Sequence, residues 1–306
     1  MTLIFQDPIF AKHETPPGHP ECSERMDAVA KALSDPTVAH LSQRPCPPVD
    51  YEAIHRAHPR QFVDTLRAIE PEDHLIALDP DTVMGANSWQ AALKASGAAC
   101  AATDAIINGE ASSAFVASRP PGHHAERTRA MGFCLINHVA IAARHAQAIH
   151  GVERVAIIDF DVHHGNGTQD IAEADPTIQY ISTHQSPLFP GTGAASETGV
   201  GNIVNLPLRP GLSGTAYREI FAEHVVPALT AFAPDFVIIS AGFDAHADDP
   251  LGGLALTEPD FVWITNEIRA VAERHAEGRV LSVLEGGYNL AALSRCVTAH
   301  VAALAA

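Results

Sequence analysis

Short, continuous apolar runs with few polar interruptions recur along the chain at residues 3–5, 114–117, 155–158, 178–182, 236–240 and 280–284. Each is too short for a helix and carries no polar–apolar alternation. That is the pattern of strands buried on both faces, as in a parallel sheet. Helical patterns lie between them. Residues 91–107 are alanine-rich and close on Asn108-Gly109, and residues 139–150 run into Gly151, a helix C-terminal signal. A third helix is predicted over residues 20–33, with Glu21 and Glu24 in its first turn, where negative charge suits the helix dipole. Strands alternating with helices predict an α/β protein whose parallel sheet is covered on both faces. No repeat, low-complexity tract or Gly/Ser linker divides the chain, so one domain over residues 1–306 is expected.

The polar residues next to these strands are unevenly distributed. Residues 114–117 run into Arg119-Pro-Pro-Gly-His-His124, and residues 155–158 into Asp159-Phe-Asp-Val-His-His-Gly-Asn166. Residues 236–240 run into Ala241-Gly-Phe-Asp-Ala-His246, and residues 280–284 into Glu285-Gly-Gly-Tyr288. Open parallel sheets bind ligands outside the carboxyl ends of their strands, so four such clusters converge on one place.

Asp161 and His163 are separated by one residue, and on an extended segment both side chains point to one side. With Asp244 they offer two carboxylates and an imidazole. Three protein ligands with an open fourth position describe a catalytic zinc site rather than a structural one. His123 and His124 follow a stiff Pro-Pro-Gly turn and suit acid–base work near neutral pH. Asp159 and Asn166 flank the ligand pair, and each is placed to orient one imidazole. Tyr288, after two glycines, is placed to donate to a developing oxyanion. His164 and His184 read equally well as packed histidines and are left outside the reacting set.

Composition narrows the function. Hydrophobic residues make up 46% and charged residues 18% of the 306 positions, an ordinary balance for a chain with a sizeable core. The net charge of −17 repels nucleic acid and anionic membranes, so neither is expected as a partner. Cys22, Cys46, Cys100, Cys134 and Cys296 are widely spaced and form no CxxC, which argues against a disulfide framework or a cysteine zinc cluster. No run approaches the roughly 20 apolar residues of a membrane span, and residues 1–10 lack a signal-peptide pattern. A cytoplasmic location is expected.

The motifs quoted above, together with Gly132-Phe-Cys134, Phe189-Pro-Gly-Thr-Gly193 and His19-Pro-Glu21, resemble the histone deacetylase family in its bacterial and class II branch. The resemblance runs in family order across nearly the whole chain. It implies the arginase/deacetylase fold, a three-layer αβα domain with a central, mostly parallel eight-stranded sheet. It implies zinc at Asp161, His163 and Asp244, although oxygen and imidazole donors also accept ferrous iron. His124 would be the general base and acid, His123 its electrostatic partner paired with Asp159, and Tyr288 would polarise the carbonyl. Phe133 and Phe189 would wall a narrow tunnel, with Gly132 and Leu251 also touching substrate. A structural potassium is implied near Asp159, Asp161, His163, Ser182 and Thr183.

Two departures bear on chemistry. Asn166 stands where class I members carry aspartate, which leaves His124 with an uncharged partner. Leu251 stands where the polyamine-specific branch carries a glutamate, which favours acylated lysine over acetylpolyamine as substrate. A binuclear manganese ureohydrolase would need further bridging aspartates, and a serine hydrolase would need a GxSxG elbow, which is absent. A catalytically silent acyl-lysine binding module would have no need of the full set of ligands, base and Tyr288.

Overall fold

The computed structural model describes residues 1–69 and 71–306. Its strands are β1 (Thr2–Phe5), β2 (Ser42–Arg44), β3 (Ile76–Ala77), β4 (Val83–Met84), β5 (Ser113–Val116), β6 (Val155–Asp159), β7 (Ile178–Gln185), β8 (Ile203–Leu208), β9 (Phe236–Ala241) and β10 (Val280–Leu284). The helices are α1 (Glu24–Leu33), α2 (Tyr51–His55), α3 (Arg60–Ile69), α4 (Ser88–Ile107), α5 (His138–His150), α6 (Asn166–Ala172), α7 (Gly214–Ile220), α8 (Val226–Phe232), α9 (Glu258–His275) and α10 (Leu290–Ala305).

Eight strands form one sheet in the order β2-β1-β5-β10-β9-β6-β7-β8, and every pairing in it is parallel. The apolar runs seen in the sequence are its interior strands. Alternate residues of each strand enter opposite cores, as the pleat requires. Phe115, Ile158, Ile239 and Leu284 pack with α1, α9 and α10, whereas Val116, Ile157, Ile238 and Val283 pack with α4 and α5. This is the expected αβα sandwich. Gly151 ends α5 at φ 68°, a left-handed position suited to glycine.

Three expectations need correction. The helix predicted from residue 20 begins at Glu24, and Glu21 is not in its first turn. Glu21 is instead fully buried, bonded to Arg25 (3.0 Å) and Arg119 (2.6 Å), and these ion pairs replace the dipole interaction. The edge strands β2 and β8 were not expected. β2 is an exposed Ser-Gln-Arg segment, and β8 contains Pro207, which is tolerable at an edge where no neighbour needs its N–H. β7 continues past residue 182 because Thr183, His184 and Gln185 are buried and bonded despite their polarity.

The positional result concerns β5, β10, β9 and β6. These are the four strands that carry the polar clusters, and they are consecutive neighbours at the middle of the sheet. No helix among the described residues is long and apolar enough to cross a membrane.

Candidate active site

β6 stops at Asp159, so Asp161 and His163 lie in a bend rather than on an extended strand. Strand alternation therefore does not explain why they face each other. The Asp161 carboxylate accepts the His163 backbone N–H at 2.9 Å, and this short turn folds the two side chains together. Asp244 arrives from the end of β9 and is anchored by the Val162 N–H at 2.8 Å. His163 Nδ1 lies 3.1 Å from both Asp161 Oδ1 and Asp244 Oδ2.

Donor atoms of these three buried residues all lie within 4.8 Å of one another. Two carboxylates this close, with almost no solvent, repel each other. Burial and the Asp161 charge push Asp244 up to about 7. Burial alone would lower the pKa of His163, but the two carboxylates raise it to about 10. The field at this point therefore draws in a positive charge. An oxygen-rich set with one imidazole and no cysteine fits a divalent transition ion such as zinc.

Glycine is required beside these ligands. A Cβ on Gly286 would stand 2.2 Å from Asp244 Oδ2 and 2.6 Å from Asp161 Oδ2. The Gly286 N–H uses that space to donate to Asp161 Oδ2 at 2.8 Å.

The His123-His124 turn is held by Glu285 at the end of β10. The fully buried Glu285 carboxylate accepts from the N–H groups of Gly122 (2.7 Å) and His123 (3.1 Å). Burial pushes it up to about 7, although His123 and the two N–H groups pull it down. Gly122 is present for close packing rather than for flexibility, since a Cβ there would meet His138 at 2.8 Å.

The structure assigns each imidazole its partner. His123 Nδ1 lies 3.0 Å from Asp159 Oδ2, which also accepts from the Tyr180 hydroxyl at 3.0 Å. His124 Nδ1 lies 2.8 Å from Asn166 Oδ1. Asn166 is oriented by its own amide group, which donates to Glu126 Oε1 at 2.7 Å. The amide oxygen must then accept from His124, so the ring carries its proton on Nδ1 and leaves Nε2 as an acceptor.

The two histidines are driven apart electrostatically. Burial would lower both. Asp159, Asp161 and Glu285 overcome it at His123 and raise that ring well above its ordinary value. At His124 burial is joined by the positive His123 and His163, which hold it well below. An imidazolium thus lies against a neutral imidazole, with ring centroids 4.0 Å apart.

A cavity of about 240 Å³ leads to this point. His163 and His124 stand at its inner end, and Phe133, Phe189, Leu188 and Leu251 supply apolar wall. The Phe189 ring meets His124 edge-on at 5.1 Å, and Phe133 meets Tyr288 at 6.0 Å. Gly132 also lines the cavity. Its φ is 57°, and a Cβ would fall 2.5 Å from the His124 ring, so only glycine lets this backbone approach. Phe133 itself has φ 67°, an unfavourable conformation for a side chain, held by its N–H donating to Thr82 Oγ1 at 3.0 Å.

Tyr288 also lines the cavity, and its N–H is held by Asp249 at 2.7 Å. Burial and Asp244 raise its phenol well above the ordinary value, so it remains a donor at neutral pH. Arg25 lies 5.2 Å from its ring centroid and donates to the carbonyls of Gly287 (2.8 Å) and Glu285, which fixes the Tyr288 loop.

Ser182 pairs with Asp159 across β6 and β7, and the Thr183 hydroxyl donates to the Asp159 carbonyl at 3.4 Å. The residues implied for potassium are therefore neighbours. His164 and His184 lie off the cavity. Both nitrogens of His164 are engaged by Thr192 and Gln169, and both of His184 by Ser182 and Gly193.

Sequence reasoning passed over several supporting residues. Glu285 stood inside a quoted motif without a role, and Glu126, Tyr180 and Asp249 gave no local signal. Asp81, in the loop between β3 and β4, also lines the cavity.

Comparison with known proteins agrees with this architecture. Residues 19–304 match the histone deacetylase domain family. The histone deacetylase-like amidohydrolase of Pseudomonas aeruginosa is 40% identical over 91% of this chain and 75% of its own length. Histone deacetylase 14, chloroplastic, of Arabidopsis thaliana is 39% identical over 94% of this chain and 73% of its own. The crystal structure of the HDA15 HD domain superposes with a TM-score of 0.94 at 36% identity, covering 99% of this chain and 87% of that one. With fold, motif order and sequence in agreement, the chain belongs to the histone deacetylase family of hydrolases.

Proposed function

We propose that the chain, acting as a single catalytic domain over residues 1–306 in the cytoplasm, hydrolyses the amide bond of acylated amines and deacetylates N-ε-acetyl-lysine in peptides or proteins. The observation that carries this reading is the meeting of Asp161, His163 and Asp244 at the inner end of an apolar cavity that also presents His124 and Tyr288. Those three residues would hold a divalent ion, zinc or ferrous iron. When bound, the ion supplies Lewis acidity to the amide carbonyl and to the hydrolytic water.

The remaining steps are derived from the chain's own groups. Neutral His124 takes the proton of the attacking water on Nε2, because its Nδ1–H is committed to Asn166. The adjacent His123 imidazolium, balanced by Asp159, adds positive potential where negative charge develops. The Tyr288 hydroxyl donates to the carbonyl oxygen as it becomes an oxyanion. His124 then returns its proton to the departing amine. Phe133 and Phe189 enclose the methylene stem and keep bulk water out. A structural potassium at Asp159, Asp161, His163, Ser182 and Thr183 belongs to the same proposal, and a higher melting temperature in potassium than in sodium would test it.

A second reading, an acylated polyamine as substrate, is favoured by Asp81, a carboxylate in the cavity wall that could meet a distal ammonium. Leu251 opposes it. Metal-stripped and zinc-reconstituted protein, assayed with acetyl-lysine peptide and with acetylspermidine, decides between them. The first reading expects zinc-restored activity with higher kcat/KM on the peptide. A strong preference for acetylspermidine would select the second reading. Full activity in Asp244→Ala would overturn both.

A further inference from the structure

α4 and α5 lie side by side and run in the same direction. Ser96, midway along α4, meets His138 at the start of α5, and Asp104, near the end of α4, meets His145 and His150 toward the end of α5. α4 leads into β5 and α5 into β6, so both helix ends lie beside the amino ends of the strands, on the opposite side of the sheet from the catalytic cavity.

At this end, Nε2 of His145 and Nε2 of His150 each approach the same oxygen, Asp104 Oδ1, at 2.7 Å. The ring centroids are 6.0 Å apart and the planes inclined by 71°, so two rings converge edge-first on one point. All three donor atoms lie within 4.8 Å of one another. The histidine side chains are only 13% exposed, whereas Asp104 is 44% exposed and keeps the point open to solvent.

Two further features favour a cation here. The carbonyl ends of α4 and α5 both terminate nearby, and their dipoles attract positive charge. Asp104 has no lysine or arginine partner among the described residues, since the neighbouring Arg44 is paired with Glu110 at 3.2 Å. The half-exposed Asp104 carboxylate leaves the point reachable from solvent, so water can complete the shell of an ion held there.

We propose that Asp104, His145 and His150 form a second metal site, separate from the catalytic one, that takes a borderline divalent transition ion, zinc foremost. Two imidazoles and one carboxylate disfavour calcium and magnesium, which prefer all-oxygen shells. No base or nucleophile lines this site, so its ion acts as a clamp between the ends of two helices that cover one face of the sheet. The Nδ1 atom of His145 is buried without a partner. That ring lacks the outer acceptor that usually strengthens a ligating histidine, so this zinc binds more weakly than the catalytic one and leaves first on chelation.

The test is zinc stoichiometry by mass spectrometry after equilibrium dialysis of metal-stripped protein against zinc chloride in the tens of micromolar. Wild type should retain two ions per chain, and His145→Ala/His150→Ala one, with deacylase activity kept. Asp104→Asn, which preserves shape at an exposed position, should also lose the second ion if the histidine variant fails to fold. Asp161→Asn/Asp244→Asn should retain the second ion and show a zinc-dependent rise in melting temperature that Asp104→Asn abolishes. Equal zinc content in wild type and Asp104→Asn, or a single ion in wild type that Asp161→Asn/Asp244→Asn removes, would overturn the proposal.

Discussion

Replacing Asn166 by aspartate would put a formal charge on the atom that now accepts from His124 Nδ1 at 2.8 Å. The ring is held well below its ordinary pKa by burial, by the positive His123 and by the positive charge at His163, which a bound ion would carry in place of the proton. At an effective dielectric of about 20 and a charge separation of about 4 Å, a new carboxylate is worth about 4 kcal/mol to the imidazolium. That ceiling corresponds to a rise of about three pKa units. Glu126 works against it. Its Oε1 now receives the Asn166 amide at 2.7 Å, and in the variant it would face a second carboxylate. Repulsion keeps the new group partly protonated, so the expected rise is about 1–2 units. His124 is a base only when neutral, so the acidic limb of the kcat/KM–pH profile should move to higher pH by that amount. Adding Glu126→Gln removes the repulsion and should extend the shift toward the ceiling. The assay is kcat/KM against pH with an acetyl-lysine peptide, on zinc-reconstituted wild type and both variants, with zinc content checked in each. An acidic limb unmoved in both variants at full zinc content would show that His124 is not the titrating base. A smaller shift in the double variant than in the single would refute the role given to Glu126.

Gly286→Ala places a methyl group 2.2 Å from one ligand carboxylate and 2.6 Å from another. The prediction is a folded protein with most of its zinc lost, and full zinc occupancy would contradict it. Tyr288→Phe should lower kcat by about 100- to 1000-fold with little change in KM, as for loss of an oxyanion donor; a change confined to KM would assign the hydroxyl to binding instead. Glu21→Gln leaves Arg25 and Arg119 buried without their shared carboxylate. Denaturant unfolding should show a loss of about 3–5 kcal/mol. Burial alone would raise the Glu21 pKa, but Arg119, His13 and Arg25 depress it below its ordinary 4.5. Its stabilisation is therefore complete above that value and disappears as pH falls through the lower folded value. The gap between wild type and Glu21→Gln should narrow over the same acidic range, and a constant gap would argue against the ion pairs as its source.

How far the sequence revealed this molecule depended on how local each cause was. Residues 155–158 and 280–284 read as strands because burial on both faces leaves a continuous apolar signature. Ser42–Arg44 has no apolar residue and becomes a strand only because the edge of β1 lies beside it. The same holds at the site. Asp161 and His163 are two positions apart, and that spacing makes them recognisable together, although a turn and not an extended strand brings their side chains into contact. The adjacency of β5, β10, β9 and β6 leaves no local trace, since it is set by pairing between segments far apart in the chain. The supporting residues follow the same logic: Glu285 acts on Gly122 across 163 positions, and Asp249 on Tyr288 across 39. Asn166 shows why this matters for mechanism. Its amide identity, visible in the sequence, says only that the partner of His124 is uncharged. The direction of the amide, and with it the tautomer that frees Nε2, depends on Glu126, 40 positions away. The ligands of a site are thus legible where they stand in polar clusters that follow apolar strands, while the protonation states that make it reactive depend on contacts that exist only in the fold.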